Sequence, residues 1–230
     1  GDITTIPEFD SIKFKRKQKE GVSFEVQQAI FNEIPDKHKL IFRWIREEGR
    51  RPGEAPALKC NDVDFNKPFF FDGNVIGHGI YRYTGSFDRG NYKPFPKVED
   101  KKGDEFPLSD EGKAILKVAL KDRIFQDDEF VFINPNTGRV YHYDNLLKIF
   151  TIAREKAGYP DIQMNTWGRH TKAQNLIEDG LSYEQVADIL GDKNADTIRK
   201  NYVKQSAGLK AAIKKNSDKK RKAKIIPFSK

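Results

Sequence analysis

Between Val63 and Leu108 the chain changes texture, and that change restricts its fold more than any other feature. On either side of this stretch, apolar residues recur at helical spacing. Within it, runs of Phe, Tyr, Val and Ile alternate with Gly, Asn and Asp. Phe69-Phe70-Phe71 precedes Asp72-Gly73, Tyr81-Arg82-Tyr83 precedes Gly85, and Glu105-Phe106-Pro107-Leu108 closes the stretch. These are strands joined by turns. The order helices, strands, helices predicts an α+β fold that is mainly helical, with a small antiparallel sheet inserted early.

The helical flanks can be read in detail. Ser23 is a good N-cap for a helix carrying Val26 and Ile30, which Pro35 ends. A second helix runs from Asp36 to Glu48 with Leu40, Ile41, Trp44 and Ile45 as its apolar stripe, and Gly49 terminates it. Arg50 to Leu58 is a short helical stretch broken by proline. Beyond the sheet the chain reads as helical again. The segments are Ser109–Arg123, Asp144–Ala157 with Leu146, Leu147, Phe150 and Ala153 on one face, Thr171–Asp179, Ser182–Leu190 and Asp196–Tyr202.

Composition narrows the function classes. Of 230 residues, 17 are Phe, 8 Tyr and 2 Trp, which argues for a packed core rather than disorder. Cys60 is the single cysteine, so no internal disulfide and no Cys-based zinc site can form. No apolar run approaches the roughly 20 residues of a membrane span. No signal peptide opens the chain, so secretion is not expected. Gly1, in place of an initiator Met, reads as the start of a trimmed fragment. The formal charge is +8, concentrated at the ends. Lys13, Lys15, Arg16, Lys17 and Lys19 form one basic run. Lys210 to Lys224, including Lys219, Lys220, Arg221 and Lys222, forms another with Asp218 its one acid. Basic ends on a balanced body point to a polyanion, or simply to solvation of the ends. The sequence divides into a basic arm over 1–22, a body over 23–208 and a basic tail over 209–230.

Common catalytic signatures are missing. There is no P-loop, no His-Glu-x-x-His and no Gly-x-Ser-x-Gly, and the four histidines at 38, 78, 142 and 170 lack ligand spacing. What remains is a dispersed constellation: Gly49-Arg50-Arg51-Pro52-Gly53-Glu54, Leu58 with Asp62 and Asp64, Arg169-His170-Thr171, Leu190-Gly191-Asp192 and finally Tyr202. Singly, each is ordinary. Arg51 suits a surface, Tyr202 a half-buried aromatic, Glu54 an arginine partner or helix cap, and Asp62 and Asp64 a turn and strand entry.

Together they resemble the catalytic domain of the tyrosine recombinases, the phage-integrase family, over residues 12 to 208. The first family box, Gly-x-Arg-x-x-Glu followed by Leu and Asp-x-Asp, matches Gly49, Arg51, Glu54, Leu58, Asp62 and Asp64. Arg169, His170 and Thr171 match the second half of His-x-x-Arg-His-Thr. Leu190, Gly191 and Tyr202 match the third box. The resemblance implies cleavage and rejoining of DNA through a 3′-phosphotyrosine, without metal, cofactor or ATP. It implies double-stranded DNA as partner and a homo-oligomer, tetrameric on DNA, in the active state. No membrane partner is expected. Location is expected in the cytoplasm, at the nucleoid, with a bacterial, phage or mobile-element origin. Two alternatives are a degenerate module that binds DNA without cutting it and a type IB topoisomerase-like enzyme.

The chemistry suits the residue types. Attack on a phosphodiester gathers charge on its non-bridging oxygens, and guanidiniums grip such oxygens with fixed forks that stay charged. Arg51 and Arg169 take that role by the resemblance. The resemblance implies Tyr202, among Arg199, Lys200 and Lys204, as the nucleophile. It implies Lys97 as the general acid, with Lys101 as runner-up. Thr166 stands where the family has His or Lys; it can donate a hydrogen bond but carries no charge. His170 matches a mainly structural position. Asp192 stands where His or Trp is usual, and either opposes phosphate binding or caps the helix after it. Lys193 is the alternative occupant of the phosphate-facing place.

Overall fold

The computed structural model of the chain describes residues 21–71, 74–88, 91–94, 105–124, 128–192 and 194–199. Six α-helices and seven strands are formed among them, and residues 195–199 are also helical. The first helix, α1 (Phe24–Glu33), starts where expected, the Ser23 hydroxyl accepting from Val26 N. Asp36–His38 is a single 3₁₀ turn leading into α2 (Lys39–Glu47).

α2 is the central element. Ile41, Phe42, Trp44 and Ile45 are all buried, a wider apolar face than a surface helix needs. Phe42 stacks on Phe150, with centroids 6.4 Å apart, and meets Trp167 edge-on. Trp44 turns the other way, onto Tyr81 at 5.1 Å and Phe132 at 5.8 Å, and its Nε1 donates to the Tyr83 hydroxyl. One helix thus joins the sheet to the C-terminal helices. Each of these large side chains contributes about 1.5–3 kcal/mol of burial.

Antiparallel pairing accounts for all the strands. A three-stranded sheet has the order β1 (Val63–Phe71), β2 (Asn74–Arg82), β5 (Glu105–Pro107). Tyr81 of β2 pairs with Val63 and with Phe106. The β1–β2 register shifts between Asp64 and Pro68. There the Asp64 carboxylate accepts from Asn66 N and Lys67 N, satisfying donors that the ladder leaves open. β3 (Gly85–Asp88) and β4 (Asn91–Pro94) form a separate hairpin, so the segment read as one sheet is divided in two.

A second difference lies after α3 (Asp110–Leu120), where the sequence assigns no element between Arg123 and Asp144. Residues 133–140 form a hairpin of β6 (Ile133–Asn134) and β7 (Arg139–Val140). Asn134-Pro135-Asn136-Thr137-Gly138 dictates it: the Asn134 side chain accepts from Asn136 N, its carbonyl accepts from Thr137 N and Gly138 N, and Gly138 takes a positive φ. A third is Leu147. It was placed on the apolar face of α4 (Tyr143–Lys156), where Leu146, Phe150 and Ala153 are buried, but it is 38% exposed.

α5 (Thr171–Glu178) and α6 (Tyr183–Leu190) pack on each other and, with Ile198, bury a second cluster of Ala173, Ile177, Val186, Ala187 and Leu190. α6 opens with a full capping box of Ser182 and Gln185. Immediately before α5 lies a π-helical turn, Thr166–His170. Its Trp167 is fully buried, donating from Nε1 to Gln27 O at 3.0 Å. Its Gly168 lies against α2, where an added Cβ would stand 2.9 Å from Ile45 Cγ2 and 3.1 Å from Ile45 O. That close approach brings Arg169 to the end of α2. Gly168→Ala is therefore expected to lower stability by about 1–3 kcal/mol through overpacking. Urea denaturation checks this, and an unchanged midpoint would show that the approach is not tight.

Candidate active site

The site is built where three chain segments meet: the loop after α2, the π-helical turn and the C-terminus of α6. α2 ends at Glu47, and the chain turns at Gly49 into Arg50 and Arg51. These neighbours have different fates. Arg50 is 2% exposed, its guanidinium lying on the rings of Phe106, Tyr81 and Tyr83 at 4.1, 4.9 and 5.6 Å. It donates to Ile189 O at 2.8 Å and Leu190 O at 3.3 Å, the last carbonyls of α6. Arg51 points the other way, towards solvent, with 41% of its side chain exposed.

α6 ends in a left-handed residue, Gly191, with φ +67°. Gly191 N donates to Asp188 O and Asp192 N to Ala187 O, the double closure of a Schellman turn. This turn fixes the backbone of Asp192. Its carboxylate then bridges the two arginines singled out from the sequence. Asp192 Oδ1 accepts from Arg51 Nη2 at 2.5 Å, and Oδ2 lies 2.7 Å from Arg169 Nη2. Asp192 is therefore not the cap of the helix that follows; the Asn194 side chain does that, accepting from Asp196 N at 2.7 Å.

Each guanidinium has further support. Arg51 donates to Glu54 Oε1 at 2.7 Å, and Arg51 N to Glu54 Oε2 at 3.3 Å, so Glu54 is the arginine partner expected of it. Arg169, with 6% of its side chain exposed, donates from Nη1 to Leu190 O at 2.9 Å and Gly49 O at 3.2 Å. Its Nη2 makes no well-aligned hydrogen bond among the described residues; its contact with Asp192 at 2.7 Å is a close ion pair. Burial lowers the Arg169 pKa, and repulsion from Arg51 adds to this, against the pull of Asp192 and Glu54. Burial also works against Arg51, but Glu54 and Asp192 outweigh it and raise its pKa. Both stay charged at any working pH.

Beside Arg51 a cleft of about 560 Å³ opens, lined in part by Gly53, Glu54, Phe87, Tyr143 and Asn165. The β3–β4 hairpin forms one wall, fastened by Phe87 N donating to Gly53 O at 2.8 Å. Thr166 and His170 flank Arg169 on the π-helical turn, both half-buried, and the Thr166 carbonyl accepts from Thr171 Oγ1. Lys97, Lys101, Lys193 and Tyr202 lie outside the described residues. So do the basic runs Lys13, Lys15, Arg16, Lys17 and Lys219, Lys220, Arg221, Lys222.

Sequence reasoning missed two residues here. Arg50 carries the packing, and no local pattern marks it, because the rings it lies on come from Tyr81 and Phe106, 31 and 56 positions later. Asn165 has a buried Oδ1 without a hydrogen-bond partner among the described residues, at the edge of the cleft. No spacing in the sequence marks it.

A mainly helical α+β body, with two arginines from distant segments meeting at one oxyanion position, defines a tyrosine recombinase catalytic fold. The chain belongs to the phage integrase family, whose model matches residues 22–208. No curated protein matches the sequence. Among solved structures it is similar to the XerH site-specific recombinase bound to palindromic difH substrate, with TM-score 0.56 and 19% identity over 86% of this chain and 53% of that one. It is also similar to the Tn1549 transposon integrase in complex with circular intermediate DNA, with TM-score 0.62 and 16% identity over 82% of this chain and 62% of that one. A lambda integrase dimer bound to a COC′ core site gives TM-score 0.50 and 14% identity, covering 79% of this chain and 60% of that one. The chain thus spans between about half and six-tenths of the proteins it resembles, and at these identities the likeness is one of fold.

The two adjacent arginines should separate in mutagenesis. Arg50→Ala is expected to cost about 3–5 kcal/mol, because it strips a buried cation from three rings and two carbonyls. Arg51→Ala, at a half-exposed guanidinium, should cost less, about 1–2 kcal/mol, by unpairing the nearly buried Glu54 and Asp192 carboxylates. Paired denaturation curves compare them; equal losses would refute the division of roles.

Proposed function

We propose that the chain is the catalytic domain of a site-specific DNA recombinase that cuts and rejoins DNA through a 3′-phosphotyrosine. One observation carries the reading. Arg51 and Arg169, 118 positions apart in sequence, each meet a different oxygen of the single carboxylate of Asp192. Two guanidiniums aimed at two oxygens on one central atom are what a phosphodiester requires.

In this reading Arg51 and Arg169 hold the non-bridging oxygens of the scissile phosphate. The Tyr202 oxygen attacks phosphorus, giving up its proton, and the bond from phosphorus to the 5′ oxygen breaks. That oxygen takes a proton from Lys97, or from Lys101. The phosphotyrosine keeps the phosphoester linkage, and attack by a 5′ hydroxyl reverses the steps. Thr166 adds a hydrogen-bond donor at the phosphate, and His170 supports Arg169. The basic segments 1–22 and 209–230 contact DNA phosphates, with Lys13, Lys15, Arg16, Lys17, Lys219, Lys220, Arg221 and Lys222 as the contacts. Double-stranded DNA is the partner, and a tetramer on DNA the active assembly. A bacterial cell carrying a phage or mobile element is the proposed setting.

A second reading, a DNA-binding module without cleavage, is favoured by one feature: an acid occupies the arginine clamp. The two readings separate on nicked suicide duplexes, selected by binding from a random-sequence pool and incubated in EDTA. A recombinase leaves a covalent protein–DNA adduct that is lost in Tyr202→Phe and reduced about a hundredfold or more in Arg51→Ala. Salt-sensitive binding with no adduct on any selected duplex would establish the second reading instead.

A further inference from the structure

The recombinase reading puts the scissile phosphate between Arg51 and Arg169, and in the DNA-free chain the Asp192 carboxylate is already there. Three features define how it is held. Its backbone belongs to the Schellman turn, so its Cα is fixed by Asp192 N donating to Ala187 O. Its side chain is 9% exposed and meets both guanidiniums at once, one oxygen each. Neither guanidinium depends on it alone. Arg51 keeps Glu54, and Arg169 keeps Gly49 O and Leu190 O. The carboxylate can therefore leave by side-chain rotation, with the helix end and both arginines still in place. The Arg169 Nη2, buried and without a well-aligned partner, is a donor that a better-placed oxygen would satisfy.

We propose that Asp192 is a positioning residue that occupies the phosphate site of the free protein. It neutralises the two guanidiniums, which their other partners keep in place, and the phosphodiester of bound DNA displaces it. This rests on the recombinase reading for the identity of the incoming group. A carboxylate and a phosphodiester each offer two oxygens on one atom and one negative charge, so the exchange conserves the local charge and offers each guanidinium an oxygen. The exchange also sets a threshold, since an anion must compete with a tethered rival before it can bind. DNA held by many contacts meets that threshold more readily than a free phosphate, which needs a higher concentration.

The test uses the full chain and inorganic phosphate, titrated calorimetrically at constant ionic strength. Asp192→Asn is expected to bind phosphate about tenfold more tightly than wild type, a gain of about 1.4 kcal/mol. A merely structural Asp192 predicts the reverse, because arginines released from it would drift and phosphate would bind more weakly. Equal or weaker binding by Asp192→Asn, or no binding by either protein, overturns the proposal. Should Asp192→Asn fail to fold, the wild type decides. With ¹³C-labelled aspartate, phosphate should move the Asp192 carboxyl resonance in step with the Arg169 guanidinium signals. Arginine signals that move while the Asp192 carboxyl stays fixed would also overturn it. The suicide-duplex adduct scores the recombinase reading separately. Tighter phosphate binding without an adduct leaves Asp192 in its role and removes the chemistry, whereas an adduct with unchanged phosphate affinity does the opposite.

Discussion

The carbonyl end of α6 is the joint on which the structure depends. A helix C-terminus presents unpaired carbonyls and the negative end of its dipole, and it must find donors or water. Here it finds two buried guanidiniums, Arg50 to Ile189 O and Leu190 O, and Arg169 to Leu190 O. The described residues form two hydrophobic clusters, one around α2 and the sheet and one between α5 and α6. These hydrogen bonds lock the second cluster against the first. Arg169 also takes Gly49 O, so the same contact sets the loop that carries Arg51. Packing and site geometry are thus consequences of one helix end.

Burying arginines demands anions close by, since an uncompensated buried charge costs several kcal/mol. Arg50, Arg51 and Arg169 stand opposite Glu48, Glu54 and Asp192. Glu48 is itself buried and held by Ser109 Oγ at 2.5 Å and the Tyr81 hydroxyl at 3.1 Å. Burial pushes the Tyr81 and Tyr83 phenols well above their ordinary range, so they remain neutral: Tyr81 donates to Glu48, Tyr83 accepts from Trp44 Nε1, and both rings face Arg50. The cluster is neutral as it stands, three cations against three anions, and it stays neutral only if whatever removes the Asp192 carboxylate from the arginines brings a charge of its own. A phosphodiester meets that condition, whereas a neutral ligand in the same place leaves a net positive charge in a half-buried cleft.

Much of this was legible in the sequence, because local chemistry and tertiary packing agree. Ser23, Ser109 and Ser182 cap the helices they precede, and Gly191 ends the one it follows. The alternation of texture marked out the sheet region, and the motif arginines do converge. The failures are equally physical. The β6–β7 hairpin is two residues a side, too short for any period to register, although the Asn-Pro-Asn-Thr-Gly turn inside it was readable. Leu147 extended an apolar run by one position beyond what the neighbouring elements cover. Arg50 was passed over since an arginine beside a motif arginine looks like surface charge, and only Phe106, 56 positions later, shows that it is core. Asp192 was read by its sign, as an anion near a phosphate site. The structure adds that its sign is why it sits on the arginines.

The same geometry explains why these positions are arginine and not lysine. Arg50 donates to two carbonyls while lying flat on aromatic rings. Arg169 donates to two carbonyls from one nitrogen and meets a carboxylate with another. Arg51 spans two carboxylates with separate nitrogens. Each task needs several donors fixed in one plane, which an ammonium on a flexible stem does not supply. The partners are also distant in sequence, 141 residues between Arg51 and Asp192 and 120 between Gly49 and Arg169. Such contacts form only after the loops between them have closed, so the arginine cluster assembles with the fold as a whole. The unfolded chain presents only dispersed arginines, and the oxyanion site is a property of the native state alone.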